Sequence, residues 1–204
     1  MSDESTTVSS AERAEPGHSP SARAGAPGRV RRASRRRAVL LAAAGAILLI
    51  LAGYAAWTNV QPYTLQASVQ IQATPQQVWA VLTDLPGYQR WNPFIISSAG
   101  QVRVGATLTN LMHDATGNTT FTPTVQVVEP GRELRWIGRV GFGGIFDGQH
   151  TFTIQRLGPG RVLFTQRENF TGVAVPFFAG RLHADTLPQF RAMNAALARQ
   201  VSGG

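Results

Sequence analysis

"IQATPQQVWAVLTDLPGYQRWNPFI", residues 71–95, runs from a strand end through a capped helix into an aromatic turn. The strand precedes it. In "TLQASVQIQA" (64–73) Leu65, Ala67, Val69 and Ile71 alternate with Gln66, Ser68, Gln70 and Gln72, the period of a half-buried strand. Thr74 is then a good N-cap, Pro75 suits the first helical position, and Gln77 completes a capping box. The helix that follows carries Val78, Val81, Leu82 and Leu85 on one face. Pro86-Gly87 and Asn92-Pro93 are turn signals. A turn-rich stretch should be polar, yet this one holds Tyr88, Trp91 and Phe94. Those rings have to cover something apolar.

Downstream, strand-like segments lie at about 95–103, 106–113, 119–129, 133–140, 145–157 and 161–173. "RVG", "ATGN", "EPGR", "GFGG" and "GPG" separate them, the pattern of an antiparallel meander. "FFAGRLHADTLPQFRAMNAALARQV" (177–201) reads as a long helix with Leu182, Leu187, Phe190, Met193, Asn194 and Leu197 in a stripe. Pro188 should kink it or split off its first turns. A curved antiparallel sheet cannot cover its own concave face, and a helix laid across it closes a cavity. The expected fold is α+β, a helix-grip domain over residues 64–201.

The N-terminal third differs. Residues 1–37 are rich in Ser, Ala, Pro, Gly and Arg and hold almost no large apolar side chain, so a disordered basic tail is expected. Residues 38–57, "AVLLAAAGAILLILAGYAAW", carry no charge. As a helix they span about 30 Å, one hydrocarbon core. Six arginines between Arg29 and Arg37 flank this segment. By the positive-inside rule they place the N-terminus in the cytoplasm and the domain outside, as a single-pass protein of the cell membrane. The competing reading is a cleaved signal peptide, with Gly53 and Ala55 as the small residues of the cleavage site. Both readings export the domain. The linker "TNVQPY" (58–63) reaches about 20 Å at most.

The net charge of +8 comes from 19 basic residues, all arginine, which a GC-rich bacterial coding sequence would give. Eight of these arginines precede residue 58, so the domain is only mildly basic and no nucleic-acid partner is expected. With no cysteine and four scattered histidines, neither a metal site nor a cofactor is expected.

The residues carry a resemblance. "IQATPQQVWAVLTDLPGYQRWNPFI", "ELRWIG" (133–138), "GQHTFTI" (148–154), "RENFTG" (167–172) and "DTLPQFRAMNAALAR" (185–199) resemble, in order, the START-like (SRPBCC) superfamily. The polyketide cyclase/dehydrase and lipid-transport branch is the most similar. The resemblance implies a hydrophobic cavity whose mouth lies beside the first loop, where Trp91 lines a pocket or plugs a core edge and Phe94 is core. Trp136 would line the cavity too. The glycine loop "GFGGIFDG" (141–148) offers Phe142, Ile145 and Phe146 as a gate or as a plain hairpin.

One polar pair is legible. Pairing Leu157 with Arg161 across "GPG" puts Ile154 opposite Phe164, Phe152 opposite Gln166 and His150 opposite Glu168, all on one face. A His–Glu pair in an apolar cavity is a candidate acid/base unit, or orients a ligand, or merely satisfies itself. Three function classes therefore stand: a membrane-anchored binder of a lipid or other hydrophobic small molecule; a cyclase, dehydratase or isomerase using His150 and Glu168; and an interaction module with a filled cavity.

Overall fold

The computed structural model describes residues 27–114 and 117–203. The chain divides into two units, Met1–Ala46 and Ile47–Gly204. Helix α1 runs over Pro27–Val60, and its stretch Arg35–Val60 is long and apolar enough to cross a membrane. It begins well before residue 38. Arginine is a good helix former, so the Arg-rich tract extends the helix where a disordered tail was expected. Residues 1–26 of that tail lie outside the described residues. The helix also continues past Trp57, leaving only Gln61 and Pro62 between α1 and the first strand. Half of the six-residue linker is therefore helix, and its last residue, Tyr63, begins the first strand.

Strand β1 (Tyr63–Ile71) leads into α2 (Pro75–Thr83), whose N-terminus is the expected capping box. The Gln77 amide donates to Thr74 Oγ1 at 3.3 Å, and the Thr74 amide donates to Gln77 Oε1 at 2.9 Å. The aromatic stretch then folds as a 3-10 turn (Leu85–Gly87) and one helical turn, α3 (Tyr88–Trp91). Its helical rotation sends Tyr88 fully inside, where the hydroxyl donates to the Leu82 carbonyl at 2.7 Å. Asn92 ends the turn, its side-chain oxygen accepting from the amides of Phe94 and Ile95.

The strands form two antiparallel sheets. One has the order β1-β8-β7-β6-β5, the other β2-β3-β4. The small sheet comprises β2 (Ile95–Ala99), β3 (Thr109–Asp114) and β4 (Gly117–Phe121). The large one comprises β1, β5 (Thr124–Glu129), β6 (Glu133–Val140), β7 (Phe146–Gly158) and β8 (Arg161–Thr171). The segment expected as one strand over 119–129 is thus two. Pro123 has no N–H for a ladder, and the chain changes sheets there. The Leu108 amide donating to the Pro123 carbonyl, with a bridge between Thr107 and Thr124, ties the sheets together at that point.

The C-terminal helix is split, as Pro188 requires. Helix α4 (Val175–Arg181) passes through a π-helical turn (Leu182–Thr186) into α5 (Leu187–Ser202). Pro188 sits in the first turn of α5, where a missing N–H costs nothing. Helix α5 buries Leu187, Phe190, Met193 and Leu197 and packs on β1 and α2. One α+β helix-grip domain results.

Burial pushes the Tyr88 phenol above its ordinary value, and the nearby Asp84 charge adds to the shift. The folded state therefore holds Tyr88 neutral at a pH where the unfolded chain ionises it. The stability this contributes is complete below about pH 10 and is lost as pH rises further. Tyr88→Phe should cost about 1–3 kcal/mol at neutral pH, because the buried Leu82 carbonyl loses its donor. The variant should also show a shallower alkaline loss of stability, measured by chemical denaturation of the micelle-held chain. An unchanged alkaline limb would refute this assignment.

Candidate functional site

A cavity of about 230 Å³ lies between the sheets and the C-terminal helices. The small sheet contributes Asn110, Met112, Thr119 and Phe121; the large sheet contributes Trp136, Gly138, Gly148, His150, Glu168 and Phe170. Phe94 and Phe146 add rings, and Leu182, Asp185, Thr186 and Gln189 come from the π-turn and the start of α5. Two glycines make room. A Cβ at Gly138 would collide with the Phe121 ring, and one at Gly148 would meet the Glu168 carboxylate.

The polar end is a connected set. The hairpin register holds: His150 faces Glu168, Phe152 faces Gln166, and Ile154 faces Phe164. At the turn itself Arg161 pairs with Gly158, not Leu157, because the register shifts between Arg156 and Gly158. That bulge lies beyond the site and leaves its facing pairs intact. Gln166 is fully buried, and its amide nitrogen donates to the Phe190 carbonyl at 3.2 Å and to Asn194 Oδ1 at 2.6 Å. A backbone carbonyl can only accept, so the amide is oriented by it. Gln166 Oε1 therefore faces His150 Nε2 at 3.1 Å and accepts a hydrogen bond from it. The other ring nitrogen, Nδ1, lies 3.5 Å from Glu168 Oε2. One histidine nitrogen is thus held by a hydrogen bond and the other faces a carboxylate. The imidazole also stacks on Phe152, with ring centroids 4.3 Å apart, and tilts against Trp136. Glu168 Oε2 makes the contact with His150, while Oε1 points toward the Gly148 position, where a Cβ would lie 2.5 Å from it. Asn110 accepts from Ser98 Oγ at 2.6 Å, and its amide nitrogen has no partner among those residues.

The residues singled out from sequence separate into groups. Trp136, Phe146, His150 and Glu168 line the cavity. Phe152 and Gln166 are buried behind it, holding His150 from two sides. Trp91 lies elsewhere, edge-on to Tyr88 and beside Arg90, Ala196 and Arg199. Phe94, three residues on, takes the cavity position. Phe142 projects into solvent from the β6–β7 turn. Asn110, Met112 and Phe121 on the small sheet carried no signal, because an alternating strand alone does not say which sheet it joins. Asp185 in the π-turn, a surface residue by its position near the start of the last helix, is exposed and paired with Arg181, and it borders the cavity from that surface.

A family model described as polyketide cyclase / dehydrase and lipid transport matches residues 62–202. The chain belongs to this family. Solved structures agree on the fold. An aromatase/cyclase, Zhui, from Streptomyces sp. R1128 matches at 17% identity and TM-score 0.58, covering 70% of this chain and 94% of its own. A START superfamily protein from Mycobacterium smegmatis matches at 18% and TM-score 0.51, covering 67% and 98%. A Thermobifida fusca protein matches at 16% and TM-score 0.55, covering 69% and 94%. Among curated proteins no relative is found by sequence. In this polyketide cyclase/dehydrase family member the matched region leaves all of α1 outside.

His150→Ala should cost about 1–3 kcal/mol in chemical denaturation, because Gln166 Oε1 and the Glu168 carboxyl lose their partner inside the fold. A paired change, His150→Phe with Glu168→Leu, should recover part of that loss. Equal stability of wild type and His150→Ala would show that the network carries no energy.

Proposed function

We propose that the domain binds a hydrophobic small molecule or lipid while α1 holds it at the cell membrane. The observation that carries this reading is the cavity itself: a wall of aromatic and aliphatic side chains with its ionisable pair gathered around His150. Such a site takes an apolar body and orients it by one polar end. The inner cavity alone is smaller than the few hundred Å³ usual for a drug-sized ligand. An outer groove of about 500 Å³ shares Val140, Phe146, Leu182, Asp185 and Thr186 with it. A longer ligand would fill both, its polar end by Glu168 and its tail outward.

A second reading, a cyclase or dehydratase, rests on Glu168 Oε1, a carboxylate oxygen in an apolar wall. His150 does not serve that reading well. Proton transfer to a ligand needs a ring nitrogen within its hydrogen-bond reach, whereas Nε2 is held by Gln166 and Nδ1 points at Glu168. His150 is better suited to positioning Glu168. Binding is therefore preferred.

Native mass spectrometry of the full chain released from lipid nanodiscs should find a bound apolar molecule. Met112→Trp, which fills the cavity, should reduce its occupancy at least tenfold. Trp136 emission should respond to an added medium-chain fatty acid or fused-ring phenol in the wild type only. A chain without bound molecule whose Trp136 ignores both probes would overturn the proposal.

The topology follows from the arginine flank, with the N-terminus in the cytoplasm and the domain outside. A C-terminal reporter that works only in the cytoplasm should stay silent, and the mature chain should retain α1. An active reporter would reverse the orientation, and a mature start near Ala56 would remove the anchor.

A further inference from the structure

The last turns of α1 are built into one end of the domain. Tyr54 Oη donates to the Val173 carbonyl at 2.9 Å, and the Gly172 amide donates to the Thr58 carbonyl at 3.1 Å. Thr58 is buried. Asn59 sits against Gly144, where a Cβ would lie 3.5 Å from Asn59 Oδ1. The two segments that hold the helix also hold each other. Val173 donates to the Gly144 carbonyl at 3.0 Å and Ala174 to that of Ile145 at 3.0 Å. The β6–β7 turn, the segment after β8 and the helix end are thus one hydrogen-bonded body.

This end is also where large apolar side chains are left in solvent. Phe142 is 84% exposed, Phe177 80% and Phe178 46%. Val140 and Ile145 are exposed beside them. Exposed aromatics gathered in one region mark an interaction surface. The outer groove opens among them, lined by Val140, Ile145 and Phe178, and leads to the inner cavity past Phe146 and Leu182. The charged groups nearby are paired: Arg139 lies 3.9 Å from Asp147, and Arg181 lies 3.2 Å from Asp185. The surface is apolar and close to neutral.

We infer that this face, with Phe142, Phe177 and Phe178 at its tip, docks into the leaflet from which α1 emerges, so that the cavity mouth opens onto lipid and not water. The inference rests on α1 being a membrane anchor. A spanning helix must leave the bilayer at its apolar end, and that end is hydrogen-bonded to the segments bearing the exposed rings. Only Gln61 and Pro62 separate it from β1, so the face has no slack to turn away. Rings of this kind settle at the headgroup boundary. Because the nearby charges cancel in pairs, docking needs no anionic lipid.

The chain has no cysteine, so single probes can be placed without background. Phe142→Cys and Phe177→Cys, with Arg161→Cys at the far end of the β7–β8 hairpin as reference, would each carry an environment-sensitive fluorophore. The full chain would be reconstituted into phosphatidylcholine vesicles, and its retention after alkaline extraction scored separately. Retained chain whose probes at 142 and 177 are quenched several-fold more than that at 161 by acyl-chain quenchers is the expected result. Retained chain with all three probes equally quenched would overturn the docking and leave the anchor standing. Probes shielded from water but untouched by lipid quenchers would overturn it in favour of a second copy or another protein on this face. Chain lost on extraction would overturn the anchor and the docking with it.

Discussion

The Gln166 side chain decides where the last helix sits. Hydrophobic burial between a sheet and a helix is non-directional, and a helix on a greasy surface can slide or rotate at little cost. The two hydrogen bonds from Gln166 to the Phe190 carbonyl and to Asn194 remove that freedom. A buried amide left unpaired is costly, so other placements of α5 are penalised by desolvation beyond their poorer packing. The same amide then orients His150, and His150 faces Glu168. Helix position and the polar end of the cavity are set by one chain of contacts. Its apolar frame is Phe152, Phe164 and Phe190, all fully buried.

Much of this was legible because period-two alternation and a short Gly-Pro-Gly turn leave few registers open. His150 opposite Glu168 and Phe152 opposite Gln166 follow from them, and the bulge at Leu157 does not propagate inward. The aromatic stretch was harder. Its turn signals suggested an irregular loop, but between Asp84 and Asn92 the backbone is helical, and helical rotation decides which ring goes where. Tyr88 turns inside and Trp91 turns toward the end of α5, while Phe94, past the helix, reaches the cavity. The break at Pro123 was visible as a residue but not as a change of sheet. That change brings Asn110, Met112 and Phe121 across to form the second wall, and no local pattern encodes it.

The chemistry is more constrained than the residue types suggest. A histidine and a glutamate in an apolar wall invite an acid/base reading, but hydrogen-bond capacity limits it. His150 has two ring nitrogens and two protein partners. Gln166 accepts at Nε2, and Nδ1 lies 3.5 Å from Glu168 Oε2. That arrangement suits recognition of a ligand's polar end, since Glu168 Oε1 can accept a hydrogen bond from a donor placed there.

The end of the domain nearest α1 departs from ordinary surface design for a reason in its glycines. Gly172 has φ +121° and lies so close to the Ile145 backbone that a Cβ would overlap it. Gly141 and Gly144 also have positive φ, which lets the β6–β7 turn fold back upon this segment. The turn is therefore fixed by backbone hydrogen bonds and by the Asp147 carboxylate, which accepts from the Gly144 amide at 3.0 Å, and not by Phe142. Phe142 is consequently free of any packing duty inside the fold, as its exposure shows. An aromatic residue that neither packs nor shapes the backbone loses nothing structurally if replaced by a polar one. Its presence beside Phe177 and Phe178 then needs a reason outside the domain, and the adjoining apolar end of α1 supplies one. Opposite this fixed rim stands the π-turn Leu182–Thr186, whose Leu182 and Asp185 border the cavity.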